Sequence, residues 1–474
     1  MSDMQTSPAE TSIPDFIKLQ QVPVNYVQQV ETDLLESVVF NQGSATQDGF
    51  ARFTLQNKGF LHSHSKLFIS VEPSATNQDV YFSPHMGVAQ VIKKAVLKIG
   101  NKALNELDSW GGLFGVKSAL LTNETNIERE LYMTGRYMNH KFVYDADSEV
   151  NASAYGLDVG VENDVESDKL YLPDWAVMNG TSAGTKAECP SFMVDLSDLF
   201  PFLKVHQLPL YMINEPINIE LTFHPTTKLR TQIADTDTAD IAMNIVQSEL
   251  KFCADYIFYG ATDEMERYAN ANKDMSFSFS DYRLVEHTTS PTALGNGVIR
   301  NLGMANRLVP RVITTLPYDS DTYNEETILG QYVSLSPEIN ASGKQVGSLK
   351  YNIRYNDRFE YTSDIDNTAR LFSVFTDSEG VPFVSRSEFS DQATAGTITD
   401  TENFEGREQK SNLNGHFFYL GSRLSNGRVG QRGIEVHLSG SWASSGRQVS
   451  MMRSYCEYLR VARLVDGMME IYNA

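Results

Sequence analysis

Apolar and polar residues alternate along most of the chain in short runs, a pattern that predicts β-strands with one buried face. In the segment Ile217–Phe223 every second residue is apolar, and Asn218, Glu220 and Thr222 fill the positions between. The clearest runs of this kind are residues 52–55, 67–71, 217–223, 250–258, 349–355 and 434–438. No regular alternation of strands with long helical segments is visible, so the pattern favours antiparallel β-sandwiches over a doubly wound parallel sheet.

Turn-forming dipeptides separate several of these runs. Asx-Gly pairs tolerate positive φ angles and suit tight hairpins. They occur at Asp48-Gly49, Asn296-Gly297, Asn414-Gly415, Asn426-Gly427 and Asp466-Gly467. The last pair is expected to join a strand over 458–465 to a strand over 468–472.

Helical patterns are few and short. Apolar residues within 104–121 have a rough helical spacing that Gly111-Gly112 interrupts, and we predict a helical segment there. Further short helices are predicted within 126–133 and within 367–375.

The order of elements repeats in the two halves of the chain. In the first half a strand over 95–100 leads into a helical segment, a long loop-rich stretch and the strand over 217–223. In the second half a strand over 349–355 leads into the helical segment from Asn367, another loop-rich stretch and the strand over 434–438. The polar stretch 226–240 lies between the halves, so the sequence predicts two consecutive sandwiches that join there.

Composition and charge limit the possible functions. The 474 residues are 41% hydrophobic and 21% charged, which is typical of a folded globular chain. The formal net charge of −21 argues against a surface that coats nucleic acid or an anionic membrane, because both need clustered Lys and Arg. The separated cysteines Cys189, Cys253 and Cys456, and a polar start without a secretory pattern, indicate folding in a reducing compartment.

One motif match points to nucleophilic catalysis. The run Gly180-Thr181-Ser182-Ala183-Gly184 has the G-x-S-x-G order of a nucleophile elbow. That elbow needs a buried strand before it and a helix after it, whereas this match is flanked by polar residues without helical periodicity. We therefore interpret the run as a flexible loop.

Two patterns could serve metal ions. His62 and His64 lie two residues apart on a predicted strand and would face the same way, with His85 as a third candidate ligand. The acidic stretch 143–169 offers carboxylates for Ca²⁺ but lacks the order of a calcium loop. A pair of surface histidines and a solvated charged face explain both patterns, so no catalytic, cofactor-binding or metal-binding residue is predicted.

Four groups of residues form an ordered pattern. They are the run 95–100 with Asp108 and the helical segment after it, the run 192–196 with Leu199-Phe200, the run 207–210 with 217–221, and the ending 458–471. In this order they resemble the double jelly-roll major capsid proteins. That family includes capsid proteins of virophages, polinton-like viruses, large nucleocytoplasmic DNA viruses and tailless icosahedral phages, and the adenovirus hexon. The shorter virophage and polinton-like members look most similar.

The resemblance implies an all-β fold of two consecutive antiparallel jelly-roll β-sandwiches with a few short helices and long surface loops. We expect an N-terminal arm over 1–27, a first jelly roll over 28–228, a linker over 229–243 and a second jelly roll over 244–474. The implied function is structural and not enzymatic. Homotrimers would form pseudo-hexagonal capsomers that tile an icosahedral shell around a DNA genome.

The same resemblance implies which molecules the chain meets. They would be neighbouring capsomers, penton and minor capsid or cement proteins, and an inner membrane or core proteins, without sequence-specific binding of nucleic acid. The protein would lie in the virion after synthesis in the host cytoplasm or viral factory. The acidic stretch 143–169 would form an outer loop, and the arm 1–27 would contact the capsid interior or a neighbouring capsomer.

Two other classes of function remain open from the residues alone. A β-sandwich also suits a glycan-binding or attachment protein, which would present a loop cluster with aromatic and carboxylate residues. A hydrolase would need a cleft with two carboxylates about 5 to 9.5 Å apart. The near-even division into two similar sandwiches favours the capsid interpretation over both.

Overall fold

The computed structural model describes most of both predicted sandwiches. The described residues are 28–44, 46–73, 79–80, 87–114, 133–134, 178–179, 191–225, 243–259, 265, 269–271, 273–316, 318–319, 338–339, 345–346, 348–367, 370–371, 373–374, 420–424, 427–441, 448–449 and 451–473. Among them, no helix has the length and apolar character that a membrane span requires.

Strands dominate the described part of the chain, which confirms the all-β prediction. In chain order they are β1 (Gln28–Glu36), β2 (Val39–Asn41), β3 (Gly49–Leu55), β4 (Phe60–Leu61), β5 (Lys66–Pro73), β6 (Asp79–Val80), β7 (Ile92–Ile99), β8 (Lys102–Asp108), β9 (Met178–Asn179), β10 (Ser191–Asp195), β11 (Leu208–Pro209), β12 (Ile217–Phe223), β13 (Met243–Ile245), β14 (Lys251–Tyr259), β15 (Asp274–Thr288), β16 (Val298–Gly303), β17 (Arg311–Thr315), β18 (Tyr318–Asp319), β19 (Glu338–Ile339), β20 (Gln345–Val346), β21 (Ser348–Tyr355), β22 (Arg358–Phe359), β23 (Leu420–Arg423), β24 (Ile434–Ser441), β25 (Gln448–Val449), β26 (Met451–Val465) and β27 (Met468–Asn473). The short α-helices are α1 (Leu196–Leu199), α2 (Pro201–Val205) and α3 (Pro291–Gly295), and residues 110–114, 133–134, 265, 269–271, 370–371 and 373–374 are also helical.

Two sheets form the first sandwich. One has the order β10-β5-β14-β4-β11, with β1 paired to β14 and β13 paired to β5, and the other has the order β2-β3-β12-β7-β8. The apolar residues of β12 are fully buried, as the alternation predicts. Phe53 of β3 and Phe252 of β14 meet across the core with ring centroids 6.0 Å apart.

Two further sheets form the second sandwich. One has the order β15-β26-β17-β23, with β27 paired to β26, and the other has the order β16-β24-β21-β22. Tyr351 and Ile353 of β21 and Cys456 of β26 are among the fully buried residues between them. The apolar residues of β21 and β24 alternate as predicted.

The two sandwiches share one topology. The sheet order β1-β14-β5-β10 corresponds to β15-β26-β17-β23, and β3-β12-β7-β8 corresponds to β16-β24-β21-β22. The matched strands also follow the same order along the chain. The predicted repeat is therefore present at the level of strand pairing.

The strand pairings place the end of the first sandwich later than the sequence prediction did. β13 pairs with β5, and β14 pairs with β1, β4 and β5, although the sequence prediction placed β14 in the second jelly roll over 244–474 and β13 at its boundary with the linker 229–243. The reason is that β14 is the last strand of the first sandwich, in the place that β26 has in the second. The chain therefore returns to the first sandwich after the polar stretch 226–240.

Residues 102–108 form a strand where the apolar spacing predicted a helix. Leu97 pairs with Asn105 and Lys98 with Ala103, so Leu104 is an extra residue in a β-bulge of β8. A bulge shifts the period-two alternation by one residue. Leu104 and Leu107 are consequently both buried at a spacing of three, which imitates a helical pattern. The helix begins only after Ser109, at residues 110–114.

The predicted closing hairpin is confirmed. Val465 pairs with Met468 across Asp466 and Gly467, whose φ angles are 48° and 81°. Asn296-Gly297 instead follows α3, where the Gly297 amide bonds to the Leu294 carbonyl at 3.1 Å and ends the helix.

Candidate functional site

A buried joint connects the two sandwiches. We define it by β8 and α2 of the first sandwich and by β15, β26 and β27 of the second. β15 and β26 pair over their whole length, from Asp274 and Val465 to Thr288 and Met451. The part of this long ribbon that starts at Asp274 reaches the first sandwich, where β15 lies beside β8.

Asp281 and Arg460 form the centre of the joint. The Arg460 Nη1 donates to Asp281 Oδ2 at 2.7 Å, and the Tyr458 hydroxyl donates to the same oxygen at 3.3 Å. Asp281 Oδ1 accepts from Asn105 Nδ2 at 3.1 Å and from the Tyr282 amide at 3.0 Å. Asn105 belongs to the first sandwich, so the carboxylate of one sandwich is held by an amide of the other.

Arg460 also holds the backbone of the first sandwich directly. Its Nη1 lies 2.9 Å from the Leu104 carbonyl oxygen, and its Nη2 lies 3.3 Å from the Ala103 carbonyl oxygen. These carbonyls lie at the bulge of β8, which leaves them available to a guanidinium. Asn105 Oδ1 accepts from the Phe202 amide at 3.1 Å and so attaches α2 to the same network.

Burial dominates the electrostatics of this network. Asp281 is 1% exposed, and burial raises the pKa of its carboxyl above the usual value, although Arg460 and the Asn105 hydrogen bond favour the charged form. Burial also raises the pKa of the Tyr458 phenol to about 12, so this group is a hydrogen-bond donor at neutral pH. A buried pair of this kind fixes geometry more than it adds stability, because desolvation offsets much of the attraction.

The β26–β27 hairpin contacts the segment before β12. The Asn214 amide bonds to the Gly467 carbonyl at 2.9 Å, and the Met469 amide bonds to Glu215 Oε2 at 3.0 Å. Lys102 Nζ donates to the Met469 carbonyl at 2.6 Å. A Cβ atom at Gly467 would lie 2.1 Å from Asn214 Nδ2, and the φ angle of +81° also favours glycine at this position.

Aromatic side chains surround the polar centre. The Phe202 ring of α2 meets the rings of Phe277 and Phe279 edge to face, at centroid distances of 5.7 and 5.1 Å. His206 Nε2 lies 2.7 Å from the Ser278 carbonyl oxygen. Such edge-to-face contacts exclude water and favour one relative orientation of the rings.

The segment after β8 covers the outward face of the second sandwich. The Tyr455 hydroxyl lies 3.3 Å from the Ser109 carbonyl oxygen and 3.2 Å from Ser109 Oγ. A Cβ atom at Gly112 would lie 2.6 Å from the same hydroxyl. Tyr455 is consequently buried, and its cross-strand neighbour Ile313 is buried as well. The first sandwich thus contacts the β15–β26 ribbon on more than one side.

Some strands expose apolar side chains outside the joint. Val30 and Leu34 of β1 are 52% and 57% exposed, and Phe359 of β22 is 48% exposed. Val30 and Leu34 pair with Ile257 and Cys253, on the face opposite to the buried Phe252, so they point away from the sandwich core.

The histidine pair lies in a turn and not on a strand. His62 and His64 fall between β4 and β5, and the His64 amide donates to His62 Nδ1 at 2.9 Å. The ring centroids are 5.4 Å apart, and burial together with His64 lowers the pKa of His62. Among the described residues no group of three or more His, Cys, Asp or Glu is placed to hold a metal ion.

The remaining sequence candidates lie outside the described residues. They are His85, the Gly180–Gly184 run and the acidic stretch 143–169. Cys253 and Cys456 are free thiols, and burial raises the pKa of Cys456 to about 12.

Sequence reasoning did not find the joint. Asp281 and Arg460 are 179 positions apart, and each stands in an ordinary alternating strand. One feature of the sequence could have indicated it. Asp281 continues the alternation of Phe277 and Phe279, so a charged residue stands at a position where the strand pattern predicts a buried side chain.

Comparisons with known proteins agree on the fold. No protein-family model matches the sequence, and no curated protein matches it. Among solved structures, the cryo-EM structure of the Sputnik virophage matches with a TM-score of 0.54 at 10% identity, covering 95% of this chain and 90% of that chain. The mavirus major capsid protein matches with a TM-score of 0.51 at 9% identity, covering 95% and 91%. The Faustovirus major capsid protein matches with a TM-score of 0.50 at 9% identity, covering 97% and 96%.

At these identities the likeness is one of fold, and it extends over nearly the whole chain. The protein has the double jelly-roll fold of viral major capsid proteins, as the ordered residue pattern led us to expect.

Proposed function

We propose that the protein is a viral major capsid protein with a structural and not an enzymatic role. Its homotrimers form capsomers of pseudo-hexagonal outline, which tile an icosahedral shell around a DNA genome. The observation that carries this proposal is the pair of sandwiches that share one topology and are connected by a buried joint. The match to the mavirus major capsid protein, which covers 95% of this chain, supports it. The comparisons support this function and not the glycan-binding alternative.

The joint explains how one chain serves this role. Two sandwiches fixed side by side supply two of six similar positions, so three chains complete a ring. The domain division that fits the pairing is a first jelly roll ending at Tyr259 and a second beginning at Asp274. The segment 1–27 remains an arm in this proposal, which would contact the capsid interior or a neighbouring capsomer.

The wider setting follows from the same proposal. The protein would be located in the virion, after synthesis in the host cytoplasm or viral factory. Its partners would be neighbouring capsomers, penton and minor capsid proteins, and an inner membrane or core proteins. A net charge of −21 per chain makes shell assembly sensitive to salt, because like charges repel between capsomers and salt screens them.

The first experiment is a mass measurement by light scattering on a sizing column. We expect a stable species near three times 53.1 kDa, with pseudo-hexagonal outlines in negative-stain images. A strict monomer at high concentration, at low and high salt, would contradict the proposed function.

A further inference from the structure

Two stretches of the second sandwich carry arginines and no carboxylates. Residues 287–318 contain three Arg and no Asp or Glu, and residues 409–434 contain three Arg, one Lys and no Asp or Glu. The chain as a whole has 60 acidic and 39 basic residues, so both stretches are opposite in charge to its average.

Backbone hydrogen bonds join the two stretches at one end of the second sandwich. The Val429 amide donates to the Arg307 carbonyl at 2.9 Å, and the Asn306 amide donates to the Val429 carbonyl at 3.1 Å. The β21–β22 hairpin reaches the same place, since Asn356 Nδ2 donates to the Arg428 carbonyl at 2.8 Å. Three segments thus bring together five arginines, which we call the basic end: Arg307, Arg354, Arg358, Arg428 and Arg432.

Two of these arginines pair with carboxylates. Asp357 Oδ1 pairs with Arg432 and also lies 4.0 Å from Arg354 Nη2. Glu435 Oε2 lies 3.6 Å from Arg354 Nη1. The Arg432 side chain is nevertheless 73% exposed, so its guanidinium remains accessible to a ligand.

Carboxylates neutralise the basic end only in part. Arg307 and Arg428 pair with no carboxylate in the part of the chain that the structure describes, and Arg428 is exposed. The Arg307 guanidinium lies over the Tyr458 ring, 5.0 Å from its centroid. With Asp357, Glu360 and Glu435 counted, five arginines against three carboxylates leave a local charge of +2.

Basic residues of the first sandwich lie among carboxylates instead. The stretch 80–105 also lacks Asp and Glu, but its fold partners supply them. Lys93 Nζ donates to Asp48 at 2.7 Å, and Lys98 Nζ lies 3.6 Å from Glu220. A stretch without acidic residues therefore gives a positive surface only where the fold brings too few carboxylates to it.

The corresponding end of the first sandwich shows the same contrast. Lys58 Nζ lies 2.5 Å from Glu31 and 2.8 Å from Asp33. Lys102 and Glu215 both bond to the backbone of the β26–β27 hairpin. Two lysines thus face three carboxylates there, so the positive charge belongs to the second sandwich alone.

Both ends face the same side of the molecule. β26 passes the basic end, where the Leu459 amide donates to the Leu308 carbonyl at 2.9 Å, and it continues toward Gly467. The Gly467 carbonyl accepts from the Asn214 amide at the end of the first sandwich. β1 begins at Gln28 on this side as well.

We propose that the basic end binds the phosphate backbone of nucleic acid without sequence specificity. All five basic side chains are arginines, whose planar guanidinium groups match phosphate oxygens in bidentate contacts. Asn306 and Gln431 are exposed beside them, and side-chain amides also donate to phosphate oxygens.

The neighbouring side chains favour nucleic acid over an anionic lipid surface. Adsorption to lipid depends on apolar side chains that insert, in addition to basic residues. Phe359 is 48% exposed, but its ring lies edge to face against His437 at 4.9 Å, on the face of the sheet. The exposed amides of Asn306 and Gln431 suit phosphate and not acyl chains.

The net charge of −21 is compatible with this contact at physiological salt. The screening length is then about 8 Å, so distant carboxylates repel a bound phosphate only weakly, whereas the contacting guanidinium groups keep their attraction. The inference rests on the proposed function for the position of this end inside a shell. It adds a direct contact with the enclosed genome, which that function does not require.

The test measures binding of a labelled double-stranded DNA fragment of mixed sequence by fluorescence anisotropy at about 0.15 M salt. The double variant Arg428→Gln, Arg432→Gln should bind at least about tenfold more weakly than the wild type. It should also lower the salt slope of binding by about two for each contacting chain, because two phosphate contacts are lost.

A second double variant, Lys93→Gln with Arg463→Gln, is the matched control. It changes the net charge by the same amount at two partly exposed positions outside the basic end, and it should bind DNA like the wild type. Circular dichroism and the mass in solution confirm that both double variants fold and assemble as the wild type does.

Three outcomes would overturn the inference. The first is a wild-type protein that does not bind DNA, and the second is an equal loss of binding in both double variants, which would assign the effect to overall charge. The third is binding only to vesicles of equal parts phosphatidylcholine and phosphatidylserine, which would make lipid the ligand.

These outcomes are distinct from a failure of the proposed function. A wild-type trimer that does not bind DNA leaves the capsid function standing and removes only the contact with the genome. A wild-type monomer contradicts the capsid function, whatever the binding assay shows.

Discussion

Removal of the Arg460 guanidinium tests whether the joint determines the stability of the whole chain. Arg460→Met keeps the apolar stem and deletes the ion pair to Asp281 at 2.7 Å and the contacts to two carbonyls of β8. Breaking one partner of a buried ion pair costs about 3–5 kcal/mol, because the remaining charge stays desolvated. We expect a loss of that size in the free energy of unfolding, and separate unfolding of the two sandwiches in place of one transition.

The loss in the free energy of unfolding should also depend on pH. Burial already raises the pKa of Asp281 in the folded state, and removing the guanidinium raises it further. A raised folded pKa means that stability is lost as the pH rises from the unfolded value, about 3.9, through the folded value. The deficit of Arg460→Met should therefore be larger at pH 8 than at pH 5.

Urea unfolding followed by circular dichroism measures both effects. Arg463→Met is the matched control, because Arg463 pairs with Asp274 on the same ribbon but both side chains are about half exposed. Exposed pairs contribute little, so this variant should unfold like the wild type. A deficit below about 1 kcal/mol for Arg460→Met, or one that does not change between pH 5 and pH 8, would refute the role given to the joint.

Three further outcomes follow from single positions. Gly467→Ala should destabilise the protein by about 2 kcal/mol in a thermal melt, since the φ angle is +81° and the new Cβ meets Asn214. Gly303→Ala is the control: its φ angle is +71° but nothing lies within 4 Å of the new Cβ, so it should cost about half as much. Phe202→Ala should cost about 3–5 kcal/mol in urea unfolding, because it removes a fully buried ring from the joint, and a cost below about 1 kcal/mol would contradict that packing. Cys456 should resist iodoacetamide at pH 8 until the protein is unfolded, since burial raises its pKa to about 12, and peptide mass spectrometry showing rapid labelling would contradict this.

Local patterns predicted the fold well, because a strand with one buried face has apolar residues at every second position of the sequence. The run Ile217–Phe223 and the turn at Asp466-Gly467 are examples, since each depends on a few neighbouring residues. The same locality explains the errors. The bulge at Leu104 broke the alternation of β8 and imitated a helix, and the return of β14 to the first sandwich depends on pairing with the distant β1.

The candidate site was beyond prediction for a related reason. Asn105, Asp281 and Arg460 come from three strands that are far apart in the sequence. Polar residues in alternating strands are normally solvent-facing, so their burial appears only when the second sandwich covers the first. The exposed apolar residues Val30 and Leu34 were likewise indistinguishable from core residues until the orientation of β1 was known.

The covalent connection between β14 and β15 has a consequence for the chemistry of the joint. Because Tyr259 and Asp274 belong to one chain, the two sandwiches meet in an intramolecular step, at a high effective concentration. Because an intramolecular contact needs little net attraction, it tolerates a buried carboxylate and guanidinium, whose attraction is largely offset by desolvation. A contact between separate chains must in addition overcome the loss of translational freedom, so it needs a larger net attraction than the joint does. One covalent link thus allows the contact between the two sandwiches to have a buried charged pair at its centre.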